Sequence, residues 1–142
     1  MRLRRASGSD CAEIARFNHA LIVDEGSTPE LSLDALETRM RQWIEADHQA
    51  YLFVQDDESV GYALFWPDQA GWYLRQFFVV ADRRRDGVGT RAFELLRNEV
   101  VPESATIHLD VIHANERGQA FWRSLGFESH AIAMHQNPGA RP

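Results

Sequence analysis

The chain has 142 residues, of which 44% are hydrophobic and 25% are charged, and its formal net charge is −6. This composition is typical of a single globular domain, and it excludes a collagen, a coiled-coil rod and a largely disordered chain. The one cysteine, Cys11, excludes a disulfide within the chain and a zinc site built from several cysteines.

The negative net charge argues against a broad basic surface, so we expect no nucleic-acid partner. No apolar stretch approaches the roughly 18 residues that a membrane span requires. The opening segment, Met1–Arg5, is not followed by the apolar region of a secretory signal. We therefore expect no membrane partner, a cytoplasmic location and no bound metal.

The first third of the chain predicts one strand and two helices. A short strand is expected over residues 1–5. Apolar residues at helical spacing then predict a helix over residues 10–23 and a second helix over residues 32–46. A polar side chain stands at the start of each helix and can cap it, and a loop containing Gly and Pro separates the two.

The remainder of the chain contains short apolar runs, turn residues and two further helical patterns. Three consecutive strands with tight turns predict antiparallel pairing, and a crossover helix places the next strand parallel to the third of them. The predicted elements are strands 50–55, 60–66 and 72–80, helix 87–100, strand 105–112, helix 116–125 and strand 127–135.

The resulting order, β-α-α-β-β-β-α-β-α-β, predicts an α/β fold of the α+β type. The sheet should be mixed, mostly antiparallel and twisted, with six to seven strands and four helices covering it. No repeat, low-complexity run or linker divides the chain, so we expect a single domain over residues 1–142 with a mobile tail over residues 136–142.

The most informative segment is WYLRQFFVVADRRRDGVGTRAFELLR, residues 72–97, which predicts a strand, a loop and a helix. Gly87 and Gly89 let the backbone turn tightly, so that several N–H groups can point at one anion. The helix N-terminus adds free donors and the positive end of its dipole, and Arg83–Arg85 add positive charge. This pattern favours a phosphate site over a solvated loop that merely begins a helix.

Two other phosphate-binding motifs compete for this segment. The P-loop requires a lysine, and the chain has none. The dinucleotide fingerprint G-x-G-x-x-A does fit Gly87–Ala92, with Asp110 following about 20 residues on. However, a charged loop separates the strand from Gly87, and too few residues follow for a doubly wound sheet. A dinucleotide-binding protein is therefore the least favoured interpretation.

Three segments together resemble one known family. Arg84–Gly89 matches the pattern R/Q-x-x-G-x-G/A, and it is followed by Leu109-x-Val111-x-x-x-Asn115 and by Phe121–Phe127, in which a helix ends at Gly-Phe. These motifs and their spacing resemble those of the GNAT N-acetyltransferase superfamily. The resemblance covers nearly the whole chain, and the predicted order of strands is the order of that family.

The resemblance implies that acetyl-CoA binds as the acetyl donor. The pyrophosphate would lie on the loop amides, the pantetheine arm would add alongside the strand that precedes the loop, and a backbone N–H would polarise the thioester carbonyl. Asn115 would hold the arm, although it can also cap the helix that follows it, and the two roles are compatible. The residues implied in cofactor binding are Phe77, Phe78, Val79, Val80, Arg84, Arg85, Asp86, Gly87, Val88, Gly89, Thr90, Asn115 and Trp122.

The resemblance also implies direct attack of an amine on the thioester, without a covalent enzyme intermediate. An alkylammonium has a pKa near ~10, so it must lose a proton before it attacks. The family often uses a glutamate on the central strand, but Arg75 stands at that position with Gln76 beside it. The candidate bases therefore lie elsewhere: Glu25, which we prefer, Asp24, His113, Glu116, or a chain of waters to bulk solvent.

The acceptor is indicated only by charge. Tyr73–Val79 resembles the spermidine/spermine-type branch of the family, which has acidic residues where Arg75 and Gln76 stand. A positive charge near the reacting nitrogen disfavours a polycation. We therefore expect a small-molecule or protein amine with an anionic or neutral group near the nitrogen. The residues implied in acceptor binding are Asp24, Glu25, Arg75 and Gln76.

Trp122 stands where the family usually has a tyrosine, the general acid for the leaving thiolate. An indole N–H can donate a hydrogen bond but cannot protonate a thiolate. Glu25 and Trp122 are the candidate catalytic residues, and we expect Trp122 to act by packing. Two functions stay open: an N-acetyltransferase, which we prefer, and a catalytically silent acetyl-CoA-binding module. The family often dimerises, which makes a homodimer a further expectation.

Overall fold

The computed structural model describes all residues from Met1 to Pro142. Two compact units make up the chain, Met1–Asp110 and Val111–Pro142. The first unit contains five strands and three helices, and the second contains one helix. The elements in chain order are β1 (Arg2–Arg5), α1 (Cys11–Asp24), α2 (Leu33–Glu45), β2 (Gln49–Gln55), β3 (Glu58–Asp68), β4 (Gly71–Val79), α3 (Val88–Glu99), β5 (Ile107–His108) and α4 (Glu116–Ser124).

The four predicted helices are confirmed, and two of them, α2 and α4, begin at a side-chain cap. Ser32 caps α2, because its side-chain oxygen accepts a hydrogen bond from the backbone N–H of Ala35 at 3.1 Å. A short 3₁₀ turn over Gly8–Asp10 precedes α1, and the N–H of Ser7 donates to the Asp10 carboxylate at 2.8 Å. The first helix therefore begins after a capped turn. No helix of the chain is both long and apolar enough to cross a membrane.

The sheet has the strand order β1-β2-β3-β4-β5. The first four strands pair antiparallel, and β5 pairs parallel to β4. The predicted mixed, mostly antiparallel sheet is therefore confirmed. The parallel pairing follows from the crossover through α3, since a helix between two neighbouring strands returns the chain in the same direction.

The predicted number of six to seven strands is wrong, because the sheet has five. The strand expected over residues 127–135 does not form. That segment has one β-branched residue, Ile132, and the side chains of Ile132 and Met134 are 88% and 89% exposed. With alanine, serine, glutamate and histidine as its other main residues, its strand propensity is low and no ladder compensates for it. The strand expected over residues 105–112 is shortened to β5.

Apolar side chains cover both faces of the sheet. On one face, Ile14 of α1 and Met40 of α2 join a buried cluster with Leu52, Tyr62 and Leu64 of the central strands. On the other, α3 packs against β1 and β4 through a buried stripe, and the ring of Phe53 lies 5.3 Å from that of Phe77. These contacts fix β4 between two layers of helix, which is where the candidate site lies.

A β-bulge in β4 changes which side chains face α1 and α2. Leu64 of β3 lies opposite Gln76 and Phe65 lies opposite Leu74, so Arg75 has no partner in the register. A bulge of this kind interrupts the alternation of side chains between the two faces. As a result, Arg75 and Gln76 are consecutive and yet both contact residues on the α1–α2 side of the sheet.

Candidate functional site

The turn between β4 and α3, which we call the glycine loop (residues 81–90), ends in an array of backbone donors. Gly87 precedes α3 in the left-handed conformation, with φ 73° and ψ 13°. The first backbone bond of the helix runs from the N–H of Arg91 to the carbonyl of Gly87 at 3.0 Å. The N–H groups of Val88, Gly89 and Thr90 therefore have no acceptor within the helix. A left-handed residue followed by right-handed ones turns successive N–H groups toward one point, which suits an anion.

The three arginines of the glycine loop have different roles. Arg83 forms an ion pair with Glu58 at 3.1 Å. The Nε of Arg84 donates to the carbonyl of Val79 at 2.8 Å, and its guanidinium forms an ion pair with Asp24. Arg85 forms no ion pair and is exposed, and its φ of 75° places it in the left-handed region. Arg83 and Arg84 thus hold the loop against the fold, and Arg85 is the one whose charge faces solvent.

One edge of β4 is unpaired beyond its first residues. Trp72 and Tyr73 pair with Ile107 and His108 of β5, and the parallel ladder ends there, two residues before the bulge. The edge from Leu74 to Val79 that faces β5 has no strand partner, and apart from the Val79 carbonyl, which accepts from Arg84, it offers backbone groups to an added strand or an extended ligand. The rings of Phe77 and Phe78 pack against Phe53 and Phe17 instead. These two residues can thus serve a ligand through their backbone.

On the α1–α2 side of the bulge lies a second group of residues, which we call the arginine–aromatic cluster. It contains Arg39, Trp43, His48, Trp66, Tyr73 and Arg75. The guanidinium carbon of Arg75 lies 5.1 Å from the ring centroid of Trp43, and 5.5 Å from those of Trp66 and Tyr73. Cation–π contact with three rings holds this guanidinium in one place.

A neutral histidine orients Arg75. The Nε of Arg75 donates to Nε2 of His48 at 3.0 Å, and the other ring nitrogen, Nδ1, lies 2.7 Å from a carboxylate oxygen of Asp47. Since Nε2 accepts, the proton must be on Nδ1, which donates to Asp47. The His48 ring is 6% exposed and stacks between Trp43 and Trp66. Burial lowers the pKa of His48 and outweighs the opposing effect of Asp47, so the ring is held neutral.

Buried polar side chains continue the cluster toward α1. The hydroxyl of Tyr62, which is fully buried, donates to Oε1 of Gln76 at 2.7 Å. A terminal nitrogen of Arg39 donates to Oδ1 of Asn18 at 3.1 Å, and the Arg39 guanidinium lies 4.6 Å from the Trp43 ring. Burial lowers the pKa of Arg39 and raises that of Tyr62 well above its ordinary value. Tyr62 is therefore a hydrogen-bond donor at any physiological pH.

The two carboxylates predicted to bind the acceptor face different partners. Asp24, the last residue of α1, is paired with Arg84 of the glycine loop. Glu25 caps the C-terminus of α1 through its backbone N–H, which donates to the carbonyl of Leu21 at 3.0 Å. Burial, together with the neighbouring charge of Asp24, raises the pKa of the Glu25 carboxyl above 4.5, and its charge acts on the hydroxyl of Tyr62. Of the two, Asp24 is held by an ion pair, whereas Glu25 forms none.

Asn115 and Trp122 lie in the second unit. The Oδ1 of Asn115 accepts a hydrogen bond from the N–H of Gly118 at 3.0 Å, so Asn115 caps α4. Trp122 packs edge-on against Phe121 and Phe127, with ring centroids 4.8 and 5.3 Å apart. Both residues thus stabilise their own unit, and their contact with a cofactor stays a prediction.

The sequence pointed to Arg75 and Gln76 as acceptor residues, which stays a prediction, but it did not point to Asn18, Arg39 or His48. The sequence pattern of α1 does contain a signal for Asn18. Asn18 is 1% exposed and continues the buried stripe of Cys11, Ile14 and Ala15 at helical spacing. A polar residue in a buried stripe needs a partner, which indicates a buried polar contact without naming it. No local pattern marks His48. The structure has no group of three or more His, Cys, Asp or Glu side chains that could hold a metal.

The glycine loop and the helix that follows it lie within a segment that matches a known family. The model of the Acetyltransferase (GNAT) family matches residues 17–127, well over half of the chain. The protein belongs to the GNAT acetyltransferase family. The resemblance inferred from the three motifs is therefore confirmed. No curated protein matches this member of the family in sequence.

Solved structures have the same fold at low sequence identity. A possible acetyltransferase from Clostridium difficile 630 superposes with a TM-score of 0.76 at 21% identity, over 96% of this chain and 95% of that one. An aminoglycoside N-acetyltransferase in complex with CoA has a TM-score of 0.76 at 17% identity, over 96% and 93%. An acetyltransferase from Clostridium acetobutylicum with acetyl-CoA has a TM-score of 0.73 at 15% identity, over 96% and 95%.

Proposed function

We propose that this GNAT protein is an N-acetyltransferase that moves the acetyl group of acetyl-CoA to a primary amine. The observation that carries the proposal is the pairing, within one unit, of the free N–H groups at Val88–Thr90 with the unpaired edge of β4. The first suits a pyrophosphate and the second suits an extended amide-containing arm, which are consecutive parts of CoA.

In this proposal the loop and strand bind the cofactor mainly through the backbone. The pyrophosphate accepts hydrogen bonds from Arg85–Thr90, and the exposed guanidinium of Arg85 adds charge. The pantetheine arm lies along the β4 edge over Phe77–Val80. The thioester then lies near the bulge at Arg75, where the interrupted ladder leaves a backbone N–H to polarise its carbonyl. Asn115 and Trp122 keep the cofactor roles that the family resemblance implies.

The reaction is direct acyl transfer. The acceptor ammonium gives one proton to a base, and the neutral amine nitrogen forms a bond to the acetyl carbon. The carbon–sulfur bond then breaks to release CoA as the thiolate, and the nitrogen gives its second proton to solvent as the amide forms. We propose Glu25 as the base, because its raised pKa makes it a better proton acceptor than an ordinary carboxylate. Solvent water protonates the thiolate, since the Trp122 indole has no proton of useful acidity.

One observation favours the alternative, a catalytically silent acetyl-CoA-binding module. The chain has Arg75 and Trp122 where family enzymes often have a glutamate and a tyrosine. Both alternatives share the same ligand, so affinity for acetyl-CoA does not separate them. Turnover does.

The test combines a CoA-release assay over a panel of primary amines with calorimetric titration of acetyl-CoA. We expect acetyl-CoA binding and amine-dependent CoA release well above hydrolysis. Binding without release for any amine would establish the silent module. Absence of binding would overturn both functions.

A further inference from the structure

Two guanidinium groups in the arginine–aromatic cluster share one indole and have no carboxylate partner. Those of Arg39 and Arg75 lie 4.6 and 5.1 Å from the Trp43 ring centroid, and neither forms an ion pair. We propose that they form the subsite for a carboxylate of the acceptor, which is an α-amino acid or a close analogue. This inference rests on the proposed acetyl transfer and names its substrate class.

The donors of Arg75 are only partly used within the protein. Its single side-chain hydrogen bond is the one from Nε to His48, so both terminal nitrogens are left for a ligand. The three surrounding rings and the neutral histidine hold the guanidinium plane without neutralising its charge. A fixed, planar fork with two parallel N–H donors matches a carboxylate in shape and charge.

Arg39 provides a second positive charge beside a cavity. The cavity has a volume of about 300 Å³ and is lined by Arg39, by Leu36, by Ile22 of α1 and by the loop that follows α1. The Nε atom of Arg39 is buried and has no hydrogen-bond partner. The Arg39 guanidinium thus has no negative partner beside a cavity large enough for an amino acid, and a ligand carboxylate there supplies the missing negative charge.

An acidic residue, Glu25, follows α1, and α1 packs on the same side of the sheet as Trp43, which Arg39 and Arg75 contact. A zwitterion fits this arrangement, with its carboxylate toward Arg39 and Arg75 and its ammonium toward Glu25. In the same pose the reacting nitrogen lies at the proposed base.

The other acidic groups nearby do not neutralise the subsite. Asp47 reaches Arg75 only through the neutral ring of His48. Glu30 lines the cavity but forms no ion pair with Arg39. The subsite is therefore positive, which disfavours polyamines and favours acceptors with an acid group close to the amine.

The test compares matched acceptors in the CoA-release assay: L-phenylalanine with phenethylamine, L-leucine with isoamylamine, and each amino acid with its carboxamide. We expect kcat/KM to be about 30-fold higher for the carboxylate member of each pair, as the loss of one or two charge-assisted hydrogen bonds predicts. In Arg75→Gln and Arg39→Gln the ratio of kcat/KM between the two members of a pair should fall to about threefold or less. Arg75→Lys, which keeps the charge, should retain part of this preference for the carboxylate. Arg16→Gln, on the exposed face of α1, is the control and should leave the preference unchanged.

Several outcomes would overturn the subsite. These are equal rates within the pairs, equal losses for both members in the arginine variants, or a preference for aminophosphonates over amino acids. If no amine is acetylated, titration of L-phenylalanine and L-leucine into the CoA-bound protein still decides the matter. Carboxylate-dependent binding that Arg75→Gln abolishes would support the subsite without the transfer activity, and no such binding would refute it. Thermal melts of each variant exclude unfolding as the cause.

Discussion

The glycine loop and the arginine–aromatic cluster lie on either side of the bulge in β4 and are built in opposite ways. Half of the loop residues are exposed, and the groups proposed to bind the cofactor are backbone N–H groups that follow two left-handed residues, Arg85 and Gly87. The cluster is half-buried, and the groups proposed to bind the acceptor are side chains from α2, β3 and β4. Backbone donors depend on conformation more than on side-chain identity, so one loop can serve a constant cofactor. Side chains that meet across elements can be exchanged, so they can adapt to a particular acceptor.

The largest effect is expected on the acceptor side, at the proposed base. Glu25→Gln keeps the shape of the side chain and removes proton acceptance, so kcat should fall by about 10²–10⁴-fold. In the unmodified protein kcat should decrease as the pH falls toward the Glu25 pKa, which lies above 4.5, because protonation removes the base. The Glu25→Gln variant should not show this decrease of kcat at low pH.

Steady-state kinetics over a pH series measure both effects. Glu94→Gln is the control, since it makes the same change at an exposed position of α3. A profile of Glu25→Gln that retains the acid limb and most of kcat would show that another group removes the proton.

On the cofactor side, Gly89→Val introduces a branched side chain at the start of α3, where a phosphate would approach. We expect the Kd for acetyl-CoA to rise by about 10–100-fold, corresponding to the loss of one or two hydrogen bonds to a charged group. Calorimetric titration measures this, with Glu94→Val on the same helix as the control. Unchanged affinity in a folded Gly89→Val protein would contradict the loop as the pyrophosphate site.

Trp122 tests whether α4 takes part in the chemistry or only in packing. Trp122→Phe should lower kcat less than about tenfold and act mainly on KM, because general acid catalysis is typically worth 10²–10⁴-fold and the indole cannot supply it. Trp122→Tyr should retain activity. Kinetics on both variants, with melts to detect a cavity effect, are the measurement. A hundredfold loss of kcat in a stable Trp122→Phe protein would reveal a direct role.

The smallest expected effect concerns the burial of the cluster. The pKa of His48 is below 6.5 in the folded protein, so the unfolded chain binds the proton first as the pH falls. The stabilising contribution is therefore complete above pH 6.5 and is lost progressively below it. His48→Gln removes this linkage, and the decrease in Tm between pH 7.5 and 5.5 should be a few degrees smaller.

Thermal melts across that range test the linkage, and His130→Gln at an exposed position is the matched control. An identical pH dependence in His48→Gln and the unmodified protein would mean that His48 is not held neutral by burial.

The glycine loop was predictable because its determinants are consecutive. Arg84–Gly89 and the apolar stripe of α3 lie within one short segment, and the left-handed Gly87 is a local requirement of the turn. The ion pairs of the arginines were not predictable in this way. Arg83 and Arg84 are engaged by Glu58 and Asp24, which are distant in the sequence. Only the fold brings such partners together.

The strands were predicted where alternation and turns are strong. The ends of the sheet were not predicted correctly. The β5 ladder stops two residues before the bulge in β4, and the segment 127–135 would need a neighbouring strand to pair with. The Arg75 side chain was expected near the acceptor. The side chains that surround it include His48 and Trp43, which lie some thirty positions away in the sequence and are brought to Arg75 only by packing.

The sequence by itself determined the family, the order of the helices and the glycine turn that begins α3, since each depends on spacing along the chain. The tertiary structure decided that Arg75 and Gln76 face the same side of the sheet and that His48 is neutral. It also decided that the guanidinium groups of Arg39 and Arg75 both contact the ring of Trp43. The physical reason is that the bulge at Arg75, the buried ring of His48 and the two arginines without ion pairs all result from packing between α1, α2 and β4. Their energies depend on burial and on contacts between residues distant in sequence, and a local sequence pattern specifies neither.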